Sequence, residues 1–426
     1  MPSNRGTLFW LAYPGNLAPN AELYILASRE TPFEVAIPGQ GFSVTGNAGP
    51  GAPGIVFLPE NFAAVQSSEM IEQKGIRVTS ERPVTVILRG GTVGVLGSTE
   101  AYLGLPVDML GSDYYTVLGY QESVSARGFP GNDEPSQLTI VAVEDNTQVT
   151  VTPSCESLAG SQPGVPINLV LNQGEVWQYR CGFLRDVTGT RVRSSRPIAV
   201  FGGSRCSDVP PGVAFCDYLV EQLIPVDMWR REYFVPPLLN GAANLVRVLA
   251  SEDETRVQIS DGTNANTITV YLDAGEFYED FFDEAVRVMS SKPVMVGQYS
   301  VGAQAPPANN ERDPLFLQIL PARLFSRFHR FYSPPQYNIN LVNIVAPVGG
   351  LCLWFFDRHR IRLSDGIVST AIRTGGGLLC RTASNYFASD HSNAITELTR
   401  PGKHFESAFT RSWVCLTRDI SPVVPI

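Results

Sequence analysis

The sequence predicts an all-β chain made of four tandem β-sandwich-like repeats of about a hundred residues, packed together. Three observations lead there: two hairpins recur at matched intervals, turn-forming residues are abundant, and the periodicity of an amphipathic helix is almost absent. The first hairpin, ELYILASRETPFEVAIPG, returns as LTIVAVEDNTQVTVTP, LVRVLASEDETRVQISDG and LVNIVAPVGGLCLWFFD. Aligning Ala27, Ala142, Ala250 and Ala346 gives spacings of 115, 108 and 96 residues. The second hairpin, IRVTSERPVTV, returns as TRVRSSRPIAV and VRVMSSKPVMV, with Pro83, Pro197 and Pro293 spaced by 114 and 96. The 38 glycines and 32 prolines among 426 residues favour many short strands over helices.

Taken in order, the chain opens on FWLAYP, an aromatic strand, and then runs through both hairpins. GNAGPGAPG, residues 46–54, reads as an exposed loop within the first repeat. A third phrase closes one repeat and starts the next: GLPVDMLGSDYYTV, LIPVDMWRREYFVPP and ILPARLFSRFHRFYSPP each join an apolar strand, a proline and an aromatic strand. The repeats therefore span 1–111, 112–228, 229–327 and 328–426, the last with a degraded second hairpin near Phe387 to Ile395. In the second repeat Val192, Ile198 and Val200 face one way and Arg191, Arg193 and Ala199 the other, the period of a half-buried hairpin. Pro197 fixes its own φ and pushes Arg196 out of the helical region, so the strand breaks and restarts there. A β-propeller of eight blades, two per repeat, is the alternative architecture, because the two hairpins resemble each other.

The run DVTGTRVRSSRPIAVFGGSRC followed by CDYLVEQLIPVDMW resembles the N-terminal domain of the IgGFc-binding protein family. GTLFWLAYP, KGIRVTSERPVTV, AYLGLPVDMLGSDYY and LTIVAVEDNTQVTVTP are similar to phrases of the same family, which extends the resemblance over most of residues 6 to 330. The resemblance implies a non-enzymatic extracellular recognition or adhesion module, of the kind found in secreted mucus proteins and bacterial surface proteins, and brings no catalytic residues with it. It also places a cysteine at both positions matching Cys206 and Cys216. A bridge there closes Ser207 to Phe215 and implies an oxidising location. Val209, Pro210, Pro211 and Phe215 in this loop, with Tyr218 just after it, form the candidate contact surface for a protein or glycoconjugate partner.

Composition narrows the function classes. A net charge of −9 leaves no basic stripe for nucleic acid. The longest apolar stretch, Ile344 to Phe356, is 13 residues broken by Pro347, Gly349 and Gly350, too short to span a bilayer. No signal-peptide pattern opens the chain and no Asn-x-Ser/Thr acceptor occurs in it. Those two features keep a second reading open, a phage virion component of tail, collar or fibre that uses the same scaffold for assembly and host contact. Uncovered strand edges and the apolar tail Val423 to Ile426 point to homo- or hetero-oligomeric assembly.

Of seven cysteines, Cys155, Cys181, Cys206, Cys216, Cys352, Cys380 and Cys415, none forms a CxxC pair, so no zinc site is expected, and the odd count leaves a thiol, nominated as Cys415. No HExxH, G-x-S-x-G or phosphate-binding glycine loop occurs, and no cofactor is expected. The acidic turns at Glu144–Asn146 and Ser251–Glu254 lack the alternating ligands of a calcium loop and read as backbone caps. Glu279, Asp280, Asp283 and Glu284 raise glycosidase acid/base chemistry, against which exposed loop charge is the simpler reading.

Overall fold

The computed structural model describes residues 4–325, apart from 18–19, 92–98, 116–118, 121–134, 183, 214–215, 239–243, 262–266 and 307–312, and beyond 325 mainly strand backbone between 340 and 416. Among the described residues the chain is all-β with almost no helix. Strands β1 (Gly6–Leu11), β2 (Ala21–Leu26), β3 (Thr31–Ile37), β4 (Phe42–Ala48), β5 (Gly54–Leu58), β6 (Ile71–Glu72), β7 (Ile76–Gly90) and β8 (Glu100–Gly104) come first. Then follow β9 (Gly111–Tyr115), β10 (Ser136–Ala142), β11 (Thr147–Thr152), β12 (Ile167–Leu171), β13 (Val176–Arg180), β14 (Arg191–Ser207) and β15 (Asp217–Gln222). The next set is β16 (Arg230–Val235), β17 (Asn244–Ala250), β18 (Thr255–Asp261), β19 (Thr267–Leu272), β20 (Phe277–Phe282), β21 (Val286–Ser300) and β22 (Leu315–Ile319). Near the C-terminus lie β23 (Asn340–Val345), β24 (Leu353–Phe356), β25 (His359–Arg362), β26 (Val368–Arg373), β27 (Gly377–Cys380) and β28 (Ser412–Leu416).

Three sheets share one strand order: β4-β3-β7-β2-β5, β12-β11-β14-β10-β13 and β19-β18-β21-β17-β20. In each, the long strand at the centre also pairs with the strand that opens the set and the one that closes it. Neither recurring phrase is a hairpin: the first supplies two strands, such as β2 and β3, that flank the long strand without pairing with each other, and the second is the long strand itself. β7 changes partners along its length. Its first half pairs with β1 and β3, and its second half with β2 and β8. The change falls at the Ser-x-Arg/Lys-Pro turn, where Ser80, Ser194 and Ser290 each donate from Oγ to the carbonyl two residues on, at 2.9, 2.5 and 2.6 Å. Opposite this turn, Ala142 pairs with Ile198 and Ala250 with Val294, the residues just after Pro197 and Pro293, and β2 ends with Leu26 on Thr85. Ala346 lies outside the described residues.

The turn interrupts the ladder to the opening strand, with a register shift between Arg193 and Ile198 in the second set. A buried tyrosine bridges the gap: Tyr114 Oη donates to the Ile198 carbonyl (2.9 Å) and accepts from Gly111 N, while Tyr233 repeats this with Val294 and Arg230. Burial raises both phenol pKa values, which keeps the hydroxyls neutral and able to donate.

The half-buried expectation holds only for the first half of each long strand. In β10 every residue is buried, and side-chain parity decides which core receives it. Leu138, Ile140 and Ala142 enter the core of their own sheet, whereas Val141, joined by Ala199, Phe201, Tyr218 and Val220, packs with Trp10, Ala12 and Val65 of the first set. The third set repeats the arrangement: Val246, Val248 and Ala250 fill its own core, and Leu245, Leu249, Met295, Tyr299 and Phe316 join the core of the second. The second and third sheets thus each bury one face internally and the other against the set before, so the three pack as one body.

Candidate functional site

The structure joins Cys206 to Cys216, with Cα atoms 5.2 Å apart, and also Cys155 to Cys181, a pairing the spacing of cysteines did not indicate. Within the first bridge the Val209–Pro210 peptide is cis. Two of the candidate contact residues are not at the surface. Val209 is fully buried with Val301 and Ala305 of the third set, and its carbonyl accepts from Gly302 N at 2.8 Å. Tyr218 points back to the first set, donating to the Pro14 carbonyl (3.0 Å) and meeting the Tyr13 ring edge-on. The loop is therefore pinned on one side by inter-set packing, because Val209 gains more by joining an apolar core than by facing water. Pro211 and Gly212 remain exposed at its tip, Pro210 and Val213 are half-buried, and Phe215 lies outside the described residues. Replacing Cys206 and Cys216 together by serine is expected to cost roughly 2–3 kcal/mol in chemical denaturation. An unchanged midpoint would show that packing alone holds the loop.

Where the sets meet, polar contacts recur at equivalent positions. The closing strands stack: Gln222 of β15 accepts from Leu105 N (2.7 Å), and Gln318 of β22 accepts from Ile224 N (3.1 Å). Glycines stack as well. Gly75 N donates to the Gly174 carbonyl at 2.9 Å, and at Gly189 (φ 86°) an added Cβ would fall 2.4 Å from the Gly275 carbonyl oxygen, so both turns need a bare backbone. β6, which follows β5 in the chain, leaves the first sheet and pairs instead with β13 of the second.

Carboxyl groups from all three sets converge on the stacked closing strands. Asp217 accepts from Thr99 N (2.8 Å) and shares a hydrogen bond with Asp313, while Glu100 accepts from Phe316 N (3.4 Å). Burial raises the pKa of Asp217 well above the carboxylate range, with Asp313 and Glu100 adding to it, and that of Glu221, where Glu100 adds. Asp313 is pushed up to about 7, mainly by burial. Two carboxyls in hydrogen-bond contact hold a proton between them. A sequence signal for this cluster existed: Asp217 and Asp313, like Gln222 and Gln318, stand 96 residues apart, the spacing of Pro197 and Pro293.

The other junction is cationic. Arg247 of β17 is buried, and its guanidinium donates to Asp186 Oδ2 (2.7 Å), Glu279 Oε2 (2.7 Å), Thr188 Oγ1 (2.7 Å) and the Gly119 carbonyl (2.9 Å). The Phe277, Tyr120 and Tyr299 rings lie 4.2, 5.1 and 5.5 Å from its Cζ. Sequence inspection missed this residue, since a single arginine on an apolar strand carries no spacing signal. Glu279, raised above as a glycosidase candidate, is this ion-pair partner, and Asp280 accepts from Tyr278 Oη (2.9 Å).

The acidic turns cap backbone amides: Asp145 Oδ1 accepts from Gln173 N and Asp253 Oδ1 from Ala274 N, both at 3.0 Å. Among the described residues no group of three or more His, Cys, Asp or Glu is arranged to hold a metal ion. Nor, among them, is any helix long and apolar enough to cross a membrane. Side chains of Cys352, Cys380, Cys415 and the four histidines lie outside the described residues.

Comparison with known proteins agrees with the repeated phrases. A human protein named IgGFc-binding protein is 25% identical over 173 residues, which cover 39% of this chain. The chain spans 3% of that protein's length. No solved structure matches. The family model for IgGFc binding protein matches residues 100–358, starting later and ending further on than the phrases suggested. That match takes in the third sheet and all of the second but β6, both disulfides, the carboxyl cluster and Arg247, and with more than half of its length covered the chain belongs to the IgGFc-binding protein family.

Proposed function

We propose that this chain is a non-enzymatic recognition module that works outside cells and holds a protein or glycoconjugate partner on its loop surface. Family membership carries the reading. Two disulfides support an oxidising location, since such bridges persist outside the reducing cytosol. The surface offered is the disulfide-closed tip at Pro210–Val213, set on a body whose inter-set packing leaves little ordering to be done on binding. The scaffold is read as four β-sandwich units at 1–111, 112–228, 229–327 and 328–426, each long strand passing from one layer to the other at its proline turn. The human relative's name makes immunoglobulin G Fc the first protein partner to examine. Biolayer interferometry of the oxidised chain against immobilised Fc fragment and against a mucin-type glycoprotein should show saturable binding to one of them, weakened when Pro211 is replaced by aspartate. Absence of saturable binding to both would remove the recognition reading.

A further inference from the structure

The strands β5, β13 and β20 occupy the same place at the end of their sheets, and the chain treats their outer edges in three ways. The edge of β13 is covered: Ile71 and Glu72, from the preceding set, pair with Trp177 and Val176. The edge of β20 is protected by charge, because its sequence FYEDFF carries Asp280 beside the Arg247-paired Glu279, with Asp283 and Glu284 directly after it. β5 has neither protection. Its five residues, GIVFL, include no polar side chain, and among the described residues nothing pairs with the side away from β2. Ile55 and Phe57 stand out from it 43% and 71% exposed. An apolar strand edge with unpaired backbone groups is a template for another strand.

We infer that β5 is an assembly edge, paired antiparallel with β5 of a second copy of this chain. The way β13 is covered identifies the kind of occupant, an extended segment from a neighbouring unit of the same fold. Among the described residues the equivalent edges of the second and third sheets are already covered or charged, and a second copy of the chain offers β5 an identical open edge as its partner. Two identical edges that meet about a two-fold axis must run antiparallel, and the contact closes on itself as a dimer. The pairing extends β8-β7-β2-β5 across the axis into one continuous sheet and brings Ile55 and Phe57 of each copy together out of water. This inference is independent of the recognition reading and survives its failure.

The test is made on the intact oxidised chain. Sedimentation velocity over a concentration series is expected to show a monomer–dimer equilibrium, shifted at least tenfold toward monomer by Phe57→Lys with Ile55→Lys. Tyr271→Lys, at a 70% exposed position on β19, should leave it unchanged. Because the double variant could lose fold, circular dichroism and thermal melting accompany it. In addition, a photo-reactive benzoylphenylalanine at Phe57, in a mixture of light- and heavy-isotope chains, reports the contact without a charge change. Mixed-isotope cross-links to residues 54–58 support the inference. A wild-type chain that stays monomeric at all concentrations, cross-links within one chain, or cross-links between chains elsewhere would each overturn it.

Discussion

Arg247→Met is expected to destabilise the protein by about 3 kcal/mol, measured as the loss in unfolding free energy by chemical denaturation. Methionine fills much of the same space beside Phe277, Tyr120 and Tyr299, so the cavity contribution is small. The cost arises from what is left behind. Asp186 and Glu279 lose their common cation, and the Gly119 carbonyl and Thr188 hydroxyl lose a donor inside the junction. Both carboxylates retain some contact with water, with side-chain exposures of 21% and 35%, which places the effect at the lower end of the range for buried pairs. Replacing Asp186 by Asn and Glu279 by Met in the same chain should restore more than half of the loss. If Arg247→Met alone costs less than 1 kcal/mol, the contact between the second and third sets rests on apolar packing and not on this cluster.

The carboxyl cluster sets the second large effect, a dependence of stability on pH. Asp217, Glu221 and Asp313 all have raised pKa values in the folded chain, so folding retains protons that the unfolded chain releases. Their contribution is fully present below the unfolded carboxyl values near about 4 and is lost as pH rises through about 7, where Asp313 titrates. Glu72 acts in the opposite sense. Burial opposes its ionisation, but Lys74 and the Ser67 donors hold its pKa below the usual value, so its contribution is lost in acid. The informative quantity is therefore the difference between wild type and Asp313→Asn. The amide can still donate to Asp217 but carries no ionising proton. After discounting for the partial exposure of Asp313, the variant should be roughly 1–2 kcal/mol more stable relative to wild type at pH 8 than at pH 5. Thermal melts at both values measure it. A difference that does not change with pH would mean that the cluster ionises freely.

Much of this architecture was legible in the chain itself. The recurrence of Ser-x-Arg/Lys-Pro between alternating apolar residues marked an interruption there, because proline can neither donate to the ladder nor let its predecessor turn helical. What the sequence suggested was a hairpin, however, and the structure has one long strand that exchanges partners at that point. The recurring first phrase aligned Ala142 with Ala250, and both do hold equivalent positions, the last residues of β10 and β17, each opposite the residue that follows the proline of the long strand. The Cys206–Cys216 bridge was legible through resemblance.

The contact residues were not, and the reason is the second face. Period-2 alternation separates the two sides of a strand but cannot say what lies beyond either of them. Val209 and Tyr218, apolar and aromatic residues in and beside a proline-rich loop, carry the same sequence signal whether they face solvent or a neighbouring set. Only the stacking of one sheet upon the next buried them. Stacking likewise made Arg247 a junction residue and drew Asp217, Asp313 and Glu100 within reach of one another, since charges distant in sequence interact only where packing excludes the water between them. The sequence by itself determined the strands, their turns and their repetition, which are local properties of side-chain size, branching and φ. The tertiary structure decided which faces meet, which carboxyls keep a proton and which strand edges are covered among the described residues, because those depend on what a neighbouring unit removes from solvent.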